Sequence, residues 1–159
     1  NQMAIIYYEM GWRDLALASA EKAHELDDSI PEIEYDLAIV KLAHALSRPG
    51  ASETQIARAV AQSRTLLFSA AMKDPAFFEI TALAGTVDAL DGNCERAVPV
   101  IRAALAPHPN QYRAYPVTTG PGNVHAAALG RRTYITVLPE ILRPEYQLER
   151  CRAPKVATE

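Results

Sequence analysis

The strongest constraint on this chain is a repeated spacing of small residues. Gly92, Ala97, Ala104 and Pro109 stand five, seven and five positions apart, and Gly11, Ala16, Ala23 and Asp28 repeat that spacing, with Asp in place of the last Pro. A glycine ends one helix, alanines five and twelve residues later let the next helix lie close to its neighbours, and proline suits the first turn of the helix after that. The pattern predicts stacked antiparallel helical hairpins, and so an all-α fold.

Local signals agree. A helix over 2–10 stops at Gly11, and a second over 13–26 places Leu15, Ala16, Ala20, Ala23 and Leu26 on one side, with Glu21, Lys22 and Glu25 on the other. Trp12, directly after the turn, is expected to pack within this hairpin. Pro31 opens a third helix to Ser47, with Ile33, Leu37, Val40 and Ala43 as its apolar stripe, and Ser52 with Gln55 forms a capping box for a fourth helix to about Lys73. Asp74-Pro75 is expected to start the fifth helix, and Asn93 to Glu95 the sixth, early enough for Pro99 to fall near the start of that helix.

The register is consistent over three hairpins. Ala4 to Ala38 and Pro75 to Pro109 each span 34 residues, whereas Ala38 to Gly85 and Asp28 to Pro75 each span 47, so one insertion of 13 residues near 48–54 reconciles the series. This period and pattern resemble the tetratricopeptide repeat, a helix-turn-helix unit of 34 residues. The resemblance covers about 1–110, with repeats at about 1–30, 31–76 and 77–110, and rests on Gly11, Ala16, Ala23, Gly85, Gly92, Ala97, Ala104 and Pro109. It departs from the family at Asp28, at Ser63 where alanine is usual, and at the enlarged middle repeat. The resemblance implies a right-handed α-α superhelix, closed by a divergent helical cap over 111–152 before a frayed tail at 153–159. Val124, Leu129, Tyr134, Ile135, Leu138 and Leu142 are the residues available to cover Ile101 and Leu105, unless a second copy of the chain does so as a homodimer.

Charge and composition narrow the function. The net charge is -3. Residues 1–110 carry 9 basic and 15 acidic side chains and 111–159 carry 7 and 4, so a basic end follows an acidic body. This argues against direct nucleic-acid binding by the segment. No apolar run reaches the roughly 18 residues of a membrane span, no signal peptide opens the chain, and the expected location is the cytoplasm. Cys94 and Cys151 are two cysteines in a chain with ample core, and are expected to be reduced.

No catalytic motif stands out. His24, His44, His108 and His125 stand alone, without metal-ligand spacing, and Gly120-Pro121-Gly122 lacks the Lys-Ser/Thr of a phosphate loop. Glu32, Glu34 and Asp36 are closely spaced carboxylates that read as a solvated acidic face. The expectation is a protein without enzymatic activity, metal or cofactor.

By the resemblance, the first helix of each hairpin lines a concave groove, which selects Ile5, Tyr8, Glu9, Glu32, Tyr35, Ile39, Glu79 and Thr86. Such a groove suits an extended or helical peptide, or a partner chain, with basic and apolar side chains. The competing reading has Tyr8 and Tyr35 simply filling space between hairpins. The stretch GNCERAVPVIRAALAPHPNQY is also similar to the repeat region attached to bacterial winged-helix regulators and to some nucleotide cyclases, which implies the sensory or assembly half of a larger regulator. A small-ligand sensor is the alternative, and an enzyme a distant one.

Overall fold

A computed structural model describes residues 1–106 and 134–152. Among them the protein is all-α: α1 Gln2–Glu9, α2 Arg13–Leu26, α3 Pro31–Ser47, α4 Glu53–Lys73, α5 Phe78–Leu90, α6 Cys94–Leu105 and α7 Pro144–Arg152, with a 3-10 turn at Glu140–Leu142. Helices α1 to α6 pack in sequence order, each mainly on the one before and the one after it. Pro109, His108, His125, Val124, Leu129, the Gly120 turn and the tail at 153–159 lie outside the described residues.

The spacing of small residues has a common structural meaning at both ends of the array. At Gly11, with φ of 79°, the amides of Gly11 and Trp12 reach back to the carbonyls of Tyr8 and Tyr7. At Gly92, with φ of 80°, those of Gly92 and Asn93 reach Ala89 and Asp88 in the same pattern. These are paired Schellman caps, which need a left-handed residue that glycine supplies without a Cβ penalty. Trp12 stacks on Tyr7 across the first cap with centroids 5.8 Å apart, yet stays 50% exposed, so only one of its faces belongs to the hairpin.

The alanines are buried: Ala16 and Ala97 have no exposure, and Ala4 and Ala38 have none either. At Gly85 a Cβ would stand 2.6 Å from Cγ1 of Ile101, so α5 and α6 touch there through a missing side chain. Ser63 keeps the close α3–α4 contact in another way, its hydroxyl donating to the Ala38 carbonyl at 3.1 Å. The Ser52–Gln55 capping box forms in both directions.

Several expectations are corrected. Leu15 and Leu26 are 49% and 76% exposed, because only the narrow alanine side of α2 meets its neighbours. Helix α5 starts at Phe78 rather than at Pro75, since the Asp74 carboxylate accepts the Ala76 amide and closes a turn there. The sixth helix does start within the expected Asn93 to Glu95, at Cys94 with Asn93 capping the Arg96 amide, but Pro99 lies in its interior rather than in its first turn. Of the helical cap expected over 111–152, residues 111–133 lie outside the described residues, 134–139 carry no helix, and the 3-10 turn and α7 are helical.

The cysteines are also corrected. Cys94 and Cys151, 57 positions apart, form a disulfide. Helix α7 lies on α5 and α6, and Leu148 and Cys151 pack against Ala89, Ala97 and Ile101, which brings the two sulfurs together. The cover over Ile101 therefore comes from Leu148 and Cys151 of α7, while Ile135, Leu138 and Leu142 go to the main core.

Ala97 has no room to grow. Ala97→Leu should lower stability by about 1–3 kcal/mol through overpacking, read from urea unfolding. An unchanged midpoint would show that this contact is not close-packed.

Candidate functional site

Helices α1, α3 and α5 share one face, and residues 134–142 lie across it. The segment passes α5, α3 and α1 in turn. The Tyr134 hydroxyl donates to Glu79 Oε1 at 3.1 Å, the Ile135 amide donates to Asp36 Oδ1 at 2.6 Å, and the Tyr8 hydroxyl donates to the Val137 carbonyl at 3.2 Å. Side chains thus take the place of a neighbouring strand for two backbone groups of an extended chain. Buried backbone needs such partners, and the helices' own amides and carbonyls are already engaged.

The apolar contacts follow the same path. Ile135 and Leu142 have no exposure and Leu138 has 4%, in one cluster with Ile5, Tyr8, Tyr35, Ile39, Ile80 and Leu83. Tyr134 meets Phe77 and Tyr35 edge-on, with centroids 4.8 and 5.9 Å away. Each buried large aliphatic side chain contributes roughly 1.5–3 kcal/mol before the entropy of ordering the segment is subtracted.

Of the residues selected from the sequence, Tyr8, Tyr35 and Glu79 contact the segment directly, and Ile5 and Ile39 share the core cluster with its Ile135, Leu138 and Leu142. Glu9 and Glu32 are half-buried. Thr86 is fully buried, and its hydroxyl donates to the Ala82 carbonyl within its own helix.

Asp36 is the site residue that sequence reasoning misplaced. Rather than a solvated acidic face, Glu34 is 3% and Asp36 0% exposed. The Glu34 Oε1 atom lies 2.7 Å from Lys73 Nζ, an ion pair joining α3 and α4, and 3.8 Å from His24 Nε2 of α2. Asp36 Oδ2 accepts from Asn1 Nδ2 at 2.6 Å while Oδ1 accepts from Ile135. No local sequence signal marks this: residues 33–40 are buried without a break because α3 sits between two neighbours and under the segment. A helix enclosed on all sides buries its polar residues too.

Burial drives the Asp36 carboxyl up to about 8, against the lowering effect of the Ile135 amide, the Asn1 side chain and the Asn1 amino group, with Glu32 pushing further upward. Burial likewise raises the Tyr8 phenol above its ordinary range, although Arg13 beside it acts in the opposite direction. Tyr8 therefore stays a neutral donor. Arg13 sits over the Tyr8 ring, 4.6 Å from its centroid.

Away from this face, an open depression of about 590 Å³ is lined by Glu21, His24, Glu25, Leu37, Lys41 and Leu66 among others. Its charged rim includes the Lys41–Glu21 pair at 2.6 Å, unlike the enclosed apolar pocket of a small-ligand site. Among the described residues no helix is long and apolar enough to cross a membrane. Comparisons with models of protein families, with curated proteins and with solved structures found no match to this chain.

The Asp36 shift has a measurable sign. The folded state holds a proton that the unfolded chain releases at the ordinary carboxylate value, so the stability from Asp36 is full below about pH 4 and is lost as pH rises through about 8. Urea midpoints of the native chain should therefore fall over this window relative to those of Asp36→Asn. Parallel pH profiles for the two proteins would contradict the burial of Asp36.

Proposed function

We propose that this chain is a non-enzymatic protein-interaction scaffold of the tetratricopeptide type, the sensory or assembly part of a larger bacterial regulatory protein. Its binding surface is the groove on α1, α3 and α5, and its ligand is an extended segment of a partner. The observation that carries this reading is that the groove already holds an extended segment, residues 134–139, through both its backbone and its side chains. A surface that satisfies backbone groups with Tyr8 and Asp36 and takes apolar side chains on Ile5, Tyr35 and Ile39 has the two components of extended-peptide recognition.

The groove also sets the chemistry of the ligand. Glu79 accepts a hydroxyl from Tyr134, and Glu9 and Glu32 add carboxylates near the same face. An incoming peptide with aromatic and aliphatic anchors and basic or hydroxyl-bearing neighbours is complementary to it.

Ile135→Asp would weaken the resident segment and leave the groove side chains intact. Peptide display against the full chain carrying this change should enrich extended aromatic-aliphatic sequences. Adding Tyr8→Phe or Glu79→Gln should reduce their affinity about three- to tenfold, the value of one hydrogen bond, with helicity by circular dichroism preserved. Enriched peptides indifferent to both substitutions would reject the groove as the binding surface.

A further inference from the structure

The groove is closed by the chain itself, and the closing segment is fastened at its far end. Residues 134–142 run directly into α7, and α7 is joined to α6 by Cys94–Cys151. Between these anchors, Gln147 is 1% exposed and its Nε2 donates to the Ile141 carbonyl at 2.6 Å. Arg143 Nε donates to the Leu138 carbonyl at 3.1 Å. The groove segment, the 3-10 turn and α7 are thus tied to one another by side-chain bonds and move together.

Helix α7 is short, and the disulfide is its covalent tie to α6. It has nine residues, shorter than helices that persist alone in water, and Leu148 and Cys151 are its partly buried apolar contacts on the small cluster of Ala89, Ala97 and Ile101. Both cysteines are half-buried rather than enclosed, so a thiol can reach the bond.

We propose that Cys94–Cys151 is a redox latch on the groove: while it is intact the 134–142 segment stays seated, and its reduction lets an extended partner peptide replace that segment. This rests on the peptide-binding reading above. The reductant is a dithiol. Its thiolate attacks Sγ of Cys151, a mixed disulfide forms as the Cys94–Cys151 bond breaks, and Cys94 leaves as a thiolate. Cys94 is the first residue of α6, where unpaired amides favour negative charge on the departing sulfur. The second thiol of the reductant then attacks the mixed disulfide and releases Cys151. Two electrons and two protons pass to the cystine, and the dithiol becomes a cyclic disulfide.

A bond closing a loop between positions 57 apart restricts the open state, and losing it should raise the population of the open groove by about thirty- to a thousandfold. The test follows two signals in the full chain, oxidised, reduced with dithiothreitol, and as Cys151→Ser. The first is hydrogen exchange of the Ile135 amide, which is buried against Asp36, with α3 amides such as Ile39 as the reference. The second is fluorescence anisotropy of a labelled synthetic peptide of residues 134–143.

Reduction and Cys151→Ser should speed Ile135 exchange by this factor while Ile39 stays protected, and should tighten peptide binding in parallel. Faster Ile135 exchange without peptide binding would support the latch and overturn the peptide-binding reading. Peptide binding of equal affinity in all three forms, with Ile135 exchange unchanged, would support the groove and overturn the latch. Equal acceleration at Ile135 and Ile39 would show the disulfide to be a staple of the whole fold and would also overturn the latch.

Discussion

An extended chain buried against helices must find hydrogen-bond partners that the helices' own backbones cannot supply. Here Asp36 and Tyr8 supply them, one accepting the Ile135 amide and the other donating to the Val137 carbonyl. Asp36 does so from a buried position in α3, where enclosure raises its pKa although the Ile135 amide itself acts to lower it. These two contacts act together with the burial of Ile135, Leu138 and Leu142 to seat 134–142 over the core, and the chain then runs on into α7 on α6.

The packing beneath is built for close approach. Ala38 and Gly85 occupy matching positions in their hairpins, and each meets the second helix of its pair at short range, one through the Ser63 hydroxyl and the other directly against Ile101. Polar ties then join successive hairpins. Arg64 of α4 reaches Asp88 and Asp91 at the end of α5, and Arg96 of α6 reaches the same Asp88. Glu34 plays the corresponding part between α2, α3 and α4. The half-buried members of these groups fix neighbouring helices relative to each other, while the apolar contacts carry most of the burial.

Hairpin boundaries were legible because they depend on local chemistry. Gly11, Gly92, the Ser52–Gln55 box and Pro31 each act within one turn of a helix, and each marks a boundary in the fold. Groove residues such as Tyr8 and Tyr35 could be selected by register, but register says which helix face they occupy and nothing about what covers it. The cover comes from a segment about 100 residues away in sequence, Ile135 on Asp36, and such a pairing leaves no local periodicity. The same holds for Cys94–Cys151. Asp36 was misplaced because a carboxylate between two other acidic residues looks solvated until the surrounding helices are assembled.

The groove and its latch both turn on the chain's own 134–142 segment occupying that groove in solution. Nuclear Overhauser contacts from the Tyr134 ring measure this most directly. Cross-peaks are expected from Tyr134 to the rings of Tyr35 and Phe77, which lie 5.9 and 4.8 Å away centroid to centroid. Absence of both, in an oxidised sample whose α3 and α5 amides remain protected, would contradict that occupancy.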